Sequence, residues 1–273
     1  MANEKSYGVR ERTAEPADNF DAAIEALQYR GFAVIPNALS LERVAELNTR
    51  LDKVYAQQCE EVGGEENLLA ISDADIVRCP LAYDDIFMDL ALNPAIIEVA
   101  KRLIGPNVLL LMQNGVINRP ERVQVQTSWH RDLNYQHWVC SRPLAISAMV
   151  CLEDFNEETG GTIYLAGSHK AEAMPSEAAL NSLNQTPPAT AGSIVLFDSM
   201  VFHRAGINRS GRVRRGVNHV IGAPILAQAV DIPNMRRRST PSDPFVAGYL
   251  GYRWNPAPSV VEWRQKKIGA KRG

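Results

Sequence analysis

Residues Trp129–Trp138 read WHRDLNYQHW, and Ala191–Arg215 read AGSIVLFDSMVFHRAGINRSGRVRR. In the first stretch His130 and Asp132 stand two residues apart at the end of what reads as a strand, Val123–His130. Side chains two apart on a strand share a face, so an imidazole and a carboxylate are offered together. His203, in the second stretch, is the candidate for a third ligand. Two histidines and one carboxylate on one face hold a first-row metal and leave coordination positions open for further ligands. Eleven residues beyond His203 comes Arg214, whose guanidinium can grip a carboxylate in bidentate fashion. Arg215 is its neighbour, and strand alternation lets only one of the two point inward.

Around these stretches the texture is that of a β-rich core. Short apolar runs recur at Val108–Asn118, Val123–His130, Leu144–Leu152, Thr162–Leu165, Ser193–Phe197 and Val213–Ile221, separated by Gly, Pro and Asn-rich turns. Such spacing predicts a sandwich or barrel. The first hundred or so residues read differently. A helix is expected over Phe20–Tyr29 with Gly31 as its stop, then a strand Phe32–Ile35. Ser40 can cap a second helix with the stripe Leu41, Val44, Leu47, Leu51 and Val54. A further helix is expected over Ile86–Ile104 with a break near Pro94. Residues 1–18 read as a flexible lead-in, and 19–273 as one domain. The long segment Ala171–Ala191 reads as a loop suited to a lid.

Composition narrows the classes. The 273 residues are 45% hydrophobic and 22% charged, with a net charge of −2, so neither nucleic acid nor an anionic membrane is an expected partner. No apolar run approaches the roughly 20 residues of a membrane span. The four cysteines form no CxxC pair and are expected to be free thiols. A cytoplasmic protein is expected.

Taken with their order and spacing, these stretches resemble the phytanoyl-CoA dioxygenase family of Fe(II)- and 2-oxoglutarate-dependent oxygenases. The resemblance is carried by WHRDLNYQHW, by LEDFNEETGG and TIYLAGSHK over Leu152–Lys170, and by Ala191–Arg215. GFAVIPNALSLERVAEL (Gly31–Leu47) and VINRPE (Val116–Glu121) extend it toward the N-terminus. It implies an α+β, mainly β fold: a double-stranded β-helix (jelly roll, cupin-like) over about 107–225 with N-terminal supporting helices. It implies Fe(II) on His130, Asp132 and His203, and 2-oxoglutarate held through its far carboxylate by Arg214. O2 is the other co-substrate, and succinate and CO2 are released as a C–H bond of a small or medium-sized metabolite is oxidised. Arg119 and Met112, near the preceding strand, are further candidates for the 2-oxoglutarate site, and Gln113, Asn114, Tyr135 and Trp138 for the substrate pocket. Halogenating relatives have a small residue where Asp132 stands, so hydroxylation is favoured.

The other reading is a metal-binding cupin, an isomerase or binding module, that turns over no 2-oxoglutarate. Such a protein has no need of Arg214 at that distance from His203. His137, His169 and His219 are expected to be structural. Arg236-Arg237-Arg238 and Lys266-Lys267 are expected to be solvated charges. Part of the substrate pocket is expected from Ala171–Ala191 and Tyr249–Trp254. Monomer and homodimer are both left open.

Overall fold

The computed structural model describes residues 14–270 apart from Glu121, Gln124, His137, Arg237 and Asn255. The lead-in before residue 14 and His137 therefore lie outside the described residues. The N-terminal half supplies α1 (Asn19–Arg30), β1 (Phe32–Ile35), α2 (Leu41–Glu61), α3 (Glu65–Ala70), β2 (Ile76–Arg78), α4 (Ile86–Ala91) and α5 (Pro94–Leu103). The strands β3 (Leu109–Asn118), β4 (Ala145–Cys151) and β5 (Thr162–Leu165) follow, then α6 (Glu177–Leu183) and β6 (Asn184–Gln185). Next come β7 (Ile194–Asp198), β8 (His203–Ala205) and β9 (Arg214–Gly222). Three helices close the order, α7 (Ile232–Arg236), α8 (Pro244–Tyr249) and α9 (Val260–Ala270).

The N-terminal elements start and stop where their residues dictate. Asp18 accepts from the first-turn N–H groups of Phe20 and Asp21, and Gly31 ends α1 in the left-handed region at φ 90°. A Cβ at Gly31 would come within 2.7 Å of His169 Nδ1, so glycine is required twice over. Ser40 caps α2, whose Val44, Leu47, Leu51 and Val54 are all buried. The helix expected over Ile86–Ile104 is two helices. Asn93 caps Ala95 N–H and Pro94 takes the first helical position, where its missing donor costs nothing.

Six strands form an antiparallel sheet in the order β1-β7-β4-β9-β3-β2, and three form a second in the order β6-β5-β8. Every residue of β4 and β7 is buried, because the large sheet is covered on both faces. Ile146, Ala148, Val150, Ile194, Leu196, Val217 and Ile221 pack with the helices in one core. Met149, Cys151, Val195 and Phe197 point the other way, into a second core with Tyr164 of the small sheet. This is the jelly-roll arrangement, and it is not a closed barrel.

Three expectations need correction. Val123–His130 is not a strand: Val125–Thr127 is a single 3-10 turn, and His130 makes only an isolated bridge to His203. Gly and Pro are absent there, but so is a neighbouring strand to pair with. Ala171–Ala191 is not structureless, since it holds α6 and β6, and Ala189 bridges to Phe155. Arg236 is not a solvated charge either, since its side chain is only 8% exposed and meets Asp85; Arg238 is half exposed, as expected, and reaches the same carboxylate from the surface.

Candidate metal centre and its cavity

The side chains named by the two quoted stretches meet between the sheets. His130 N–H donates to His203 C=O at 2.9 Å and His203 N–H returns the bond at 3.0 Å, so the two imidazoles are held side by side with centroids 4.3 Å apart. Asp132 N–H donates to Ser199 C=O at 3.1 Å. Between the two ligand candidates Arg131 turns away and is 7% exposed. Its guanidinium donates to the carbonyls of Met200, Ser168, Ala171 and Glu172 and lies over the Phe202 ring. That anchor, rather than strand pairing, is what places His130 and Asp132 on one side.

One ligand atom from each of His130, Asp132 and His203 lies within 4.8 Å of the others. His130 Nδ1 faces the Ser128 carbonyl at 2.8 Å, and His203 Nδ1 faces that of Val201 at 3.0 Å. A carbonyl only accepts, so each Nδ1 carries the proton and each Nε2 presents its lone pair. Burial, and then the neighbouring His203, lowers the His130 pKa, which favours the neutral ring a metal needs. Burial alone would raise the Asp132 carboxyl. The charge that His203 carries when protonated and the bond from the Ser147 hydroxyl outweigh that and hold it below the usual carboxylate range, so Asp132 is ionised. Asp132 Oδ1 is 3.5 Å from His203 Nε2. Tyr164 stacks on Phe32 at 4.9 Å and, with Phe197, backs the His203 ring.

Strand parity settles the two arginines. Arg214 begins β9 facing inward, on the same side as Asn218, and is 2% exposed. Its guanidinium lies 4.1 Å from the Phe155 ring, and Nε and Nη1 have no hydrogen-bond partner. Burial pushes it down to about 10, which leaves it cationic at neutral pH. Arg215 faces out and pairs with Asp52 and Glu153.

A small inner cavity of about 60 Å³ contains His130, Asp132, His203, Arg214, Thr162 and Asn218 among its walls. A larger one of about 650 Å³ shares Met112, Asn114, Gln126, His130 and Asp132 with it and opens outward past Leu111, Leu133, Tyr135 and Val220. Met112 and Asn114 thus stand where the two cavities meet. With its amide turned to satisfy both atoms, Asn114 accepts from Arg78 Nη1 at 3.0 Å.

The remaining candidates are elsewhere. Gln113 is fully buried on the helix-covered face, bonded to Leu81 N–H, Phe87 C=O and His219 Nε2. The reason is a bulge at Leu110/Met112, which switches the inward-facing parity of β3 from odd to even residues. Arg119 is spent on the buried Asp75, Nε to Oδ1 at 2.7 Å. Trp138 is 55% exposed and lines neither cavity. Neither Ala171–Ala191 nor Tyr249–Trp254 lines them; Ala227–Ala229 line the larger one instead. His169 and His219 are buried outside both. Sequence reasoning missed Thr162, Ser147 and Asn218. Asn218 had a signal, since it is four residues after Arg214 on one strand and so shares its face.

Comparison with known proteins agrees with this architecture. Dioxygenase olcK of Penicillium canescens is 26% identical over 275 residues, covering 92% of this chain and 87% of its own. The uncharacterised protein Rv1501 of Mycobacterium tuberculosis is 26% identical over 221 residues, covering 78% and 79%. Among solved structures, the epimerase SnoN in complex with Fe3+, alpha ketoglutarate and nogalamycin RO superposes with a TM-score of 0.58 at 19% identity. That match covers 82% of this chain and 92% of SnoN, a likeness of fold. Residues 27–216 match the phytanoyl-CoA dioxygenase (PhyH) family, and the chain belongs to it.

Proposed function

We propose that this chain is a non-haem iron and 2-oxoglutarate-dependent dioxygenase that hydroxylates a C–H bond of a small or medium-sized organic molecule, with release of succinate and CO2. The observation that carries the reading is Arg214. A buried guanidinium with two unpartnered donors, in the same 60 Å³ cavity as His130, Asp132 and His203, needs an anion to complete it. A carboxylate accepts two parallel N–H bonds from such a fork.

The donor set fits iron: two neutral imidazole Nε2 atoms and one carboxylate oxygen, with positions left for a chelating oxo acid. Iron held by His130, Asp132 and His203 supplies, with 2-oxoglutarate and O2, the oxidation of the C–H bond. Arg214 fixes the far carboxylate of 2-oxoglutarate, which sets the orientation of its oxo-acid end. Phe155 and Phe197 keep water from that ion pair. The substrate occupies the 650 Å³ cavity, its reacting carbon brought to the junction formed by Met112, Asn114 and Gln126. Asp132 fills the carboxylate position, which supports hydroxylation rather than halogen transfer.

Calorimetric titration of 2-oxoglutarate into the Mn(II)-loaded protein tests this. Wild type is expected to bind, and Arg214→Ala to bind about a hundredfold more weakly, in line with the loss of a charged hydrogen-bonded pair. Equal affinity in the two proteins removes Arg214 as the anchor, and no binding by the wild type means the site takes no 2-oxoglutarate and the metal-cupin reading replaces it.

A further inference from the structure

The two oxygens of Asp132 are not equivalent. Oδ2 accepts from two side chains, the hydroxyl of Ser147 on β4 and Nδ2 of Asn218 on β9, the latter at 3.1 Å. Oδ1 has neither donor and is the atom that faces His203 Nε2. Behind Ser147 lies Ser199, Oγ to Oγ 2.8 Å, and both are fully buried. An ionised carboxylate only accepts, so the single Ser147 proton is committed to Asp132. Ser199 must therefore donate to Ser147, giving a directed chain from Ser199 through Ser147 to Asp132.

We infer that Ser147 and Asn218, with Ser199 behind them, are positioning residues that commit Asp132 to bind the metal through Oδ1 alone. The inference rests on the iron-site reading above. Held at Oδ2 from two neighbouring strands of the large sheet, the carboxylate cannot rotate to chelate with both oxygens. One coordination position that a chelating carboxylate would fill therefore stays open for the co-substrate. Without the tethers the side chain swings and the three donors lose their common orientation. Partners of this kind typically change metal affinity 10–100-fold. The arrangement belongs to this chain's own residues: a lone serine in the apolar strand AISAMVC, and an asparagine sharing a face with Arg214.

The test is Co(II) binding to the metal-free protein, followed by its visible ligand-field spectrum, for wild type, Ser147→Ala, Asn218→Ala, Ser199→Ala and Asp132→Ala. The expected result is an affinity about tenfold or more weaker in Ser147→Ala and Asn218→Ala, with a changed band shape. Ser199→Ala is expected to lose only a few-fold. A role in packing alone would shift the melting temperature of the metal-free protein and leave the spectrum as it was. If one of the two alanine variants does not fold, the other carries the test. Affinity within twofold of wild type and an unchanged spectrum in the folded variants overturn the inference, provided Asp132→Ala abolishes binding. If Asp132→Ala itself binds Co(II) like wild type, the iron-site reading falls and the inference with it.

Discussion

Arg214 is a charge placed where folding alone would not put one. It is 2% exposed, two of its donors are unpartnered, and its guanidinium lies over the face of Phe155. Burying a charge without a counter-ion opposes folding, and apolar replacements of such groups often stabilise by about 1–4 kcal/mol. Arg214→Met is therefore expected to raise the urea midpoint of the metal-free protein while abolishing 2-oxoglutarate binding. A lower midpoint would mean the arginine has a structural partner and no ligand to wait for. Asp75 is the opposite case. Its side chain is fully buried and paired with Arg119 at 2.7 Å and Arg122 at 2.8 Å. Asp75→Ala leaves the partly buried Arg119 without its carboxylate, while Arg122 keeps Glu65, and is expected to lose about 2–3 kcal/mol in chemical denaturation. A loss below about 1 kcal/mol would show that the pair is solvated.

At the scale of the element, β9 carries two kinds of polar residue on its two faces. Inward are Arg214 and Asn218; outward is His219, fully buried under the helices. Gln113 Nε2 is a donor, so His219 Nε2 must accept and Nδ1 must carry the only proton, facing Ala148 C=O at 3.2 Å. Burial holds His219 down to about 4. Below its unfolded value of about 6.5 the unfolded chain takes up a proton that the folded one refuses, so stability falls as pH drops from about 6.5 to 4. Asp198, at the end of β7, has the reverse sign. Burial raises it to about 6, so the stability it contributes is present at low pH and lost as pH rises through 6. Between pH 7 and 5 His219 withdraws about 2 kcal/mol and Asp198 returns about 1 kcal/mol. Asp198→Asn is expected to lose about 1 kcal/mol more than wild type over that interval, measured by urea unfolding at the two pH values. Parallel curves would contradict the assignment.

These faces also show how far sequence reaches. Local chemistry made α1, β1 and α2 legible: an Asp or Ser cap, a glycine stop, an apolar stripe. The residue types at His130, Asp132, His203 and Arg214, read together with the family resemblance, picked out the groups that meet in the cavity, although the strand expected to put His130 and Asp132 on one face is absent. The bulge in β3 was not legible. It depends on how two strands pair, and it sent Gln113 outward and Asn114 inward. Ser147 was hidden for a similar reason: an isolated serine means nothing until Asp132 is folded against it.

For the whole molecule, the centre joins pieces distant in sequence, the segment around His130 and Asp132, the β8 strand and the two central strands β4 and β9. A ligand that binds only the assembled centre stabilises the fold by mass action, about 2.7 kcal/mol at a hundred times its dissociation constant. Metal with 2-oxoglutarate is thus expected to raise the melting temperature by roughly 5–10 °C for a chain of this size, and a chelator to reverse it. No helix among the described residues is long and apolar enough to cross a membrane. The most direct measurement is anaerobic addition of Fe(II) and then 2-oxoglutarate to the metal-free protein, read by visible absorption. A weak charge-transfer band near ~500 nm, expected when an oxo acid chelates ferrous iron in an open facial site, is predicted for wild type. It should be absent in His203→Ala and require far more 2-oxoglutarate in Arg214→Ala. Iron binding with no band at saturating 2-oxoglutarate would contradict the account.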